Sequence, residues 1–269
     1  MEWQVLLPAC LLAGALAGLF AGLLGVGGGI VIVPVLAYLY AAAGFPGDAV
    51  MQFALATSLA SILFTGLSSV RAHHHAGAVR WPLVRVLAVP LMAGSLAGAF
   101  VADALGSERL MQLFGVFAVL LGLRMLLARA SAADDPDAPD PHIPPARNMA
   151  VGGLIGVASA IFGIGGGSLT VPYLHACGMR MQKAVATSSA CGVPIALAGT
   201  LGYVLAGSTR SDLPAATAGY VHLPGLAALV VASVPMAVLG AKLAHRLPAA
   251  ALRRIFAVLL LAVGIDFLV

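Results

Sequence analysis

The stretch GLLGVGGGIVIVPVL, residues 22–36, sets three consecutive glycines and a proline inside an otherwise apolar run. A plain membrane helix has no use for either. Glycine, lacking a Cβ, favours chain reversal and close backbone approach. A proline in a helix interior lacks the N–H that would bond the preceding turn. The pattern then recurs as GIGGGSLTVPYL, residues 163–174, with Pro172 standing where Pro34 stands in the first copy. Recurrence in register points to an internal duplication whose two copies are each broken at a glycine cluster.

Composition gives the solvent. Of 269 residues, 61% are hydrophobic and 9% charged, with a mean hydropathy of +1.03. Soluble domains carry about 25% charged residues, so this chain cannot cover a water-facing surface and its partner is the lipid bilayer. A net charge of +4 does not signal nucleic acid, because the basic residues flank apolar runs as membrane orientation requires. Cys10, Cys177 and Cys191 have neither disulfide-framework nor metal-ligand spacing. Cys10 follows LLPA, a faint lipoprotein cleavage box. With Glu2 and no Lys or Arg before it, residues 5–24 read instead as a retained membrane segment.

The Pro- and Asp-rich stretch 130–148 reads as a flexible linker between a first repeat, 1–129, and a second, 149–269. MQFALATS (51–58) matches MQKAVATS (181–188), GAVRWP (77–82) matches GYVHLP (219–224), and FAVLL recurs at 117–121 and 256–260. Each half is expected to hold one long broken segment, about 5–43 and 149–178, followed by three apolar runs. These lie near 50–70, 82–103 and 109–128, and near 184–207, 220–243 and 249–268. The fold class is therefore an all-α polytopic membrane protein. If each broken segment crosses twice or enters and returns, only Arg109 and Arg210 of the 14 basic residues fall on the outer side. If each crosses once, they divide evenly. The first arrangement inverts the halves relative to each other, as in many secondary transporters. It puts both termini outside and the linker in the cytoplasm.

Broken helices survive in hydrocarbon only where protein or a water-lined cavity satisfies their backbone. Two half-helices meeting at GxGGG would turn free N–H groups and a positive dipole end toward mid-membrane, a setting for an anion without a buried lysine. The candidate binding residues are thus Gly25, Gly27, Gly28 and Gly29, with Gly163, Gly165, Gly166, Gly167 and Ser168 in the second copy. Pro34 and Pro172 are the candidate structural breaks. The same glycines would also suit close helix packing. Gln52, Thr57 and Ser58, repeated as Gln182, Thr187 and Ser188, could donate to an oxyanion or bond back to their own helices.

Other polar groups carry less. His73–His75 read as a solvated basic loop. His175 and Cys177 match Ala37 and Leu39 in the first copy, which cannot ligate a metal. Asp266 and Arg124 lie near the ends of apolar runs; proton coupling through Asp266 is a further expectation. No nucleotide loop, HExxH or GxSxG is present, so neither a cofactor, a metal nor an enzyme is expected.

Paired GxGGG-x4-P motifs, each followed by an ATS segment, resemble the sulfite exporter TauE/SafE family of membrane permeases. The resemblance spans the chain apart from the linker. It implies a permease of the bacterial cytoplasmic (inner) membrane for small sulfur-containing anions such as sulfite or organosulfonates. By position, the family's glycine segments fall on Gly25–Gly29 with Pro34 and on Gly163–Gly167 with Pro172. Ser168 replaces Ile30 and Lys183 replaces Phe53 in the second copy, so the two halves are not expected to contribute equally. With no ATP-binding motif, the drive would be a gradient, of a proton, of sodium or of the substrate. A passive anion channel, or a carrier of an unrelated organic anion, fits the same residues.

Overall fold

The computed structural model describes residues 3–24, 28–127, 144–244 and 249–269. The first half forms α1 (Trp3–Leu24), α2 (Gly29–Ala42), α3 (Val50–His75), α4 (Trp81–Leu105) and α5 (Ser107–Leu127). The second repeats the order as α6 (Pro145–Ile161), α7 (Gly167–Ala176), α8 (Met181–Gly207), α9 (Leu223–Ala244) and α10 (Ala249–Asp266). Both broken segments are helix–break–helix, and α2 and α7 start at matching glycines.

Several local expectations change. Pro34 and Pro172 do not break the chain: each sits inside its helix, past the first turn, and the interruption falls at the glycines before it. The helix tolerates the proline by forgoing one backbone bond. His73–His75 form the last turn of α3 rather than a loop. Pro145–Asn148, assigned by composition to the linker, open α6, since proline is well suited to a first helical turn. A small hairpin, β1 (Thr217–Ala218) with β2 (Val221–His222), precedes α9.

The chain is an all-α polytopic membrane protein. Among the described residues, α3, α4, α5 and α8 are long and apolar enough to cross a bilayer. Leu12, Val89, Leu154 and Val231 are each more than 60% exposed, the outward apolar surface that lipid contact requires and water would penalise.

Packing exchanges partners between the halves. α1 lies along α9, whereas its counterpart α6 lies along α4; α3 packs on α8, and α5 on α10. Small residues permit this closeness. Gly14 and Gly18 meet the backbone of Leu229 and Ser233, while their counterparts Gly152 and Gly156 meet Leu87, Pro90 and Leu91. These ascending pairs make α1 parallel to α9 and α6 parallel to α4. Gly199 lies against Leu59 and Gly66 against Val193, so α3 and α8 run antiparallel; Gly115 against Gly264 and Gly122 against Ala257 show the same for α5 and α10.

Candidate functional site

The two glycine breaks touch. Gly29, the first residue of α2, packs its Cα face on the carbonyl oxygen of Gly163, and a Cβ there would lie 3.1 Å from Ile164 Cα. Gly163 adopts φ +61°, a conformation glycine takes readily. Ser58 Oγ on α3 donates to the Gly163 carbonyl at 2.8 Å, pinning the second break against the first half's helix. Ile62, one turn further along α3, covers both Gly29 and Gly165.

Neither short helix has a side-chain cap. Gly28 and Gly166 are the N-cap residues of α2 and α7, and no acidic residue lies in either first turn. The leading N–H groups of α2 and α7 thus lack a side-chain acceptor, and each buried helix start carries a positive dipole end of about half a charge. Nearby hydroxyls supplement them. Ser168 is buried, and Thr170 and Ser188 carry buried hydroxyls with no hydrogen-bond partner among the described residues.

The other sequence candidates separate. Thr57 Oγ1 accepts the backbone N–H of His222 at 3.1 Å, and Thr187 Oγ1 accepts that of Arg80 at 3.2 Å. Arg80 and His222 are themselves counterparts, so each ATS threonine holds the start of a helix in the opposite half. Gln52 is buried in the first turn of α3, with Nε2 3.5 Å from the Ala102 carbonyl, whereas Gln182 is exposed at the start of α8. Neither glutamine reaches the glycine breaks. Gly25 and Gly27 lie outside the described residues.

Gln52 lines an open cleft of about 610 Å³ together with Asp48, Asp103, Arg109, Arg210 and Tyr220. Arg210 pairs with Asp48 at 2.8 Å and Asp212 at 2.6 Å. These bonds, first Asp212 and then Asp48, raise the guanidinium pKa above its ordinary value and hold the Asp212 carboxyl below its own. Tyr220 donates to Asp103 Oδ1 at 2.5 Å, and burial, reinforced by that carboxylate, pushes its phenol up to about 12.

An aromatic layer lies between this cleft and the glycine centre in the register of α3. Phe45 stacks on Tyr40 at 4.5 Å and meets Phe53 edge-on at 5.0 Å. Tyr220 packs against Phe53 and His222 against Phe45, both at 5.3 Å. The exchanged positions carry no such layer: Lys183, Ala78 and Arg80 are the counterparts of Phe53, Tyr220 and His222.

Asp266 accepts a hydrogen bond from Tyr38, and Arg124 is exposed in the last turn of α5. His175 Nδ1 lies 3.1 Å from the Met179 carbonyl, just past the end of α7. Sequence reasoning passed over Ile62, Thr170 and Gly192, which border the centre. Comparing the copies residue by residue beyond the motif itself would have raised all three.

A model of the family described as sulfite exporter TauE/SafE matches residues 10–267. A protein of Haemophilus influenzae named "Probable membrane transporter protein" is 36% identical over 96% of this chain and 96% of its own length. The Bacillus subtilis protein named "Probable membrane transporter protein YunE" is 32% identical over 72% of this chain and 77% of its own. One from Xylella fastidiosa strain Temecula1, also named as a probable membrane transporter protein, is 30% identical over 94% and 91%.

Proposed function

We infer that this chain, which belongs to the sulfite exporter TauE/SafE family of membrane transporters, is a secondary carrier for small sulfur-containing anions such as sulfite or organosulfonates. The observation that carries this reading is the contact of Gly29 with Gly163 and Ile164, which brings the uncapped start of α2 against the buried break that precedes α7. Backbone N–H groups there offer an anion several donors without the cost of an ionised side chain in lipid.

The opposed directions of α3 and α8, and of α5 and α10, support two inverted repeats joined by a linker, the second repeat opening with α6 at Pro145. Transport would then proceed by alternating access around a site between them. The aromatic layer supports a state closed toward the cleft, which would lie on the outer side with both termini; the linker would be cytoplasmic and the membrane the bacterial inner membrane. A proton or sodium gradient would drive the cycle. The candidate binding residues remain those of the two glycine motifs with Ser168 and Ser188, while Ser58, whose proton is spent on Gly163, and Thr57 and Thr187 serve the contact between halves.

Purified protein in proteoliposomes should take up radiolabelled sulfite, saturably and with counterflow. Folded protein that moves neither sulfite nor sulfonates would refute the substrate class. Large single-channel currents without saturation would replace the carrier with a channel.

A further inference from the structure

The two glycine motifs are nearly identical in sequence, yet their surroundings differ in one consistent way. Ile30, Ile32 and Ile62 of the first half correspond to Ser168, Thr170 and Gly192 of the second. All three isoleucines are buried. Ile32 Cδ1 lies 3.4 Å from the place a Cβ on Gly28 would occupy, so an alkyl group covers the start of α2. In the second copy the corresponding distance, from Gly166, is 2.9 Å and the atom is Thr170 Oγ1. A hydroxyl therefore stands over the start of α7.

That hydroxyl is 1% exposed as part of its residue and has no hydrogen-bond partner among the described residues. A buried donor left unmade is costly, and this one is directed at the uncapped end of a ten-residue helix. Across from it, a Cβ on Gly192 would have, among the described residues, a single neighbour within 4 Å, the backbone nitrogen of Gly166 at 3.6 Å. The counterpart Ile62 instead reaches out of α3 and fills the space over Gly29 and Gly165.

We propose that the anion is held by the second motif alone, on the N–H groups at the start of α7 and on Thr170 Oγ1, in the space left by Gly192. Ile62 walls the opposite side, and the first motif acts as packing. This rests on the carrier reading above and assigns its site to one half. Every donor in the cradle is neutral, with only the partial charge of the helix end behind it. Such a cradle suits a singly charged oxyanion, the SO3 group of hydrogen sulfite or of a sulfonate, and gives it up again readily. A doubly charged sulfate would forfeit too much hydration.

The test uses the whole protein in proteoliposomes, with folding checked by size-exclusion chromatography. Thr170→Val keeps the shape and removes the donor; its KM for radiolabelled sulfite should rise about 10- to 100-fold, the range for a lost hydrogen bond to a charged group. Thr170→Ser should restore it to within about threefold, and Ile32→Val should stay within about twofold of the parent. Methanesulfonate should compete for uptake and sulfate should not. An unchanged KM in Thr170→Val, an equal rise in Ile32→Val, or competition by sulfate as strong as by methanesulfonate would overturn the assignment. If the parent moves no sulfite, the carrier reading fails by itself, and thermal stabilisation by methanesulfonate then decides the site. Stabilisation present in the parent and absent in Thr170→Val sustains it; none in either overturns it.

Discussion

Replacing Gly29 with alanine puts a methyl group onto the carbonyl oxygen of Gly163, with Ile164 Cα at 3.1 Å and Ile62 Cδ1 at 3.2 Å. Two of those three neighbours are backbone, so no side-chain rotation makes room. The breaks must move apart, and the carbonyl that accepts from Ser58 must move with them. Overpacking of this kind costs typically about 1–3 kcal/mol. For a chain of this size that corresponds to a fall in Tm of about 2–12 °C, at roughly 2–4 °C per kcal/mol. Gly153 supplies the internal standard, because a Cβ there meets nothing within 4 Å among the described residues. Gly153→Ala, also in a helix, should be neutral or up to about 1 kcal/mol stabilising through helix propensity alone. Fluorescence-detected size-exclusion chromatography after heating, on both variants in the same detergent, measures the difference. A Gly29→Ala protein as stable as Gly153→Ala would mean the two breaks are not in contact.

Thr57→Val removes the acceptor of the buried His222 N–H and should cost about 1–3 kcal/mol, with Thr57→Ser close to the parent in the same heating assay. Thr187→Val, whose donor Arg80 is only part-buried, should cost less; the reverse order would contradict the account of the two clamps. Arg210 holds Asp212 below its ordinary pKa of 3.8. A depressed carboxyl stabilises above its unfolded value and loses that stabilisation as pH falls through the folded one. The Tm difference between the parent and Arg210→Gln should therefore be flat from about pH 5 to 8 and shrink only below about pH 4. Alkaline phosphatase fused after Val269 should be active, since that enzyme folds only outside the cytoplasm; an inactive, stable fusion would reverse the proposed orientation.

The breaks and helix limits could be read from the chain because glycine and proline act locally and apolar runs report their own length. Both long broken segments resolved into helix pairs, at the glycines rather than at Pro34 and Pro172, since one forgone backbone bond is cheaper than ending a helix. Lys and Arg positions hinted at opposed halves, and helix directions support the same arrangement. What the chain concealed was distant pairing. Nothing near Thr57 announces His222, 165 residues away, so a hydroxyl that clamps a remote backbone looks the same as one that binds substrate. Gln52 shared that ambiguity and proved to line the cleft instead. Thr170 was hidden by attention to the glycines: it stands where the first copy has Ile32, and only the fold shows its hydroxyl buried beside Gly166.

The exchange of partners between α1 and α6 bears on how the molecule comes into being. The glycine face of α1 has its match on Leu229 and Ser233, made more than 200 residues later. During synthesis, then, the first half sits in the bilayer with its leading helix unmated, and neither half is a folding unit by itself. Cutting the chain within residues 130–148 should yield two fragments that are unstable apart and reassemble when made together.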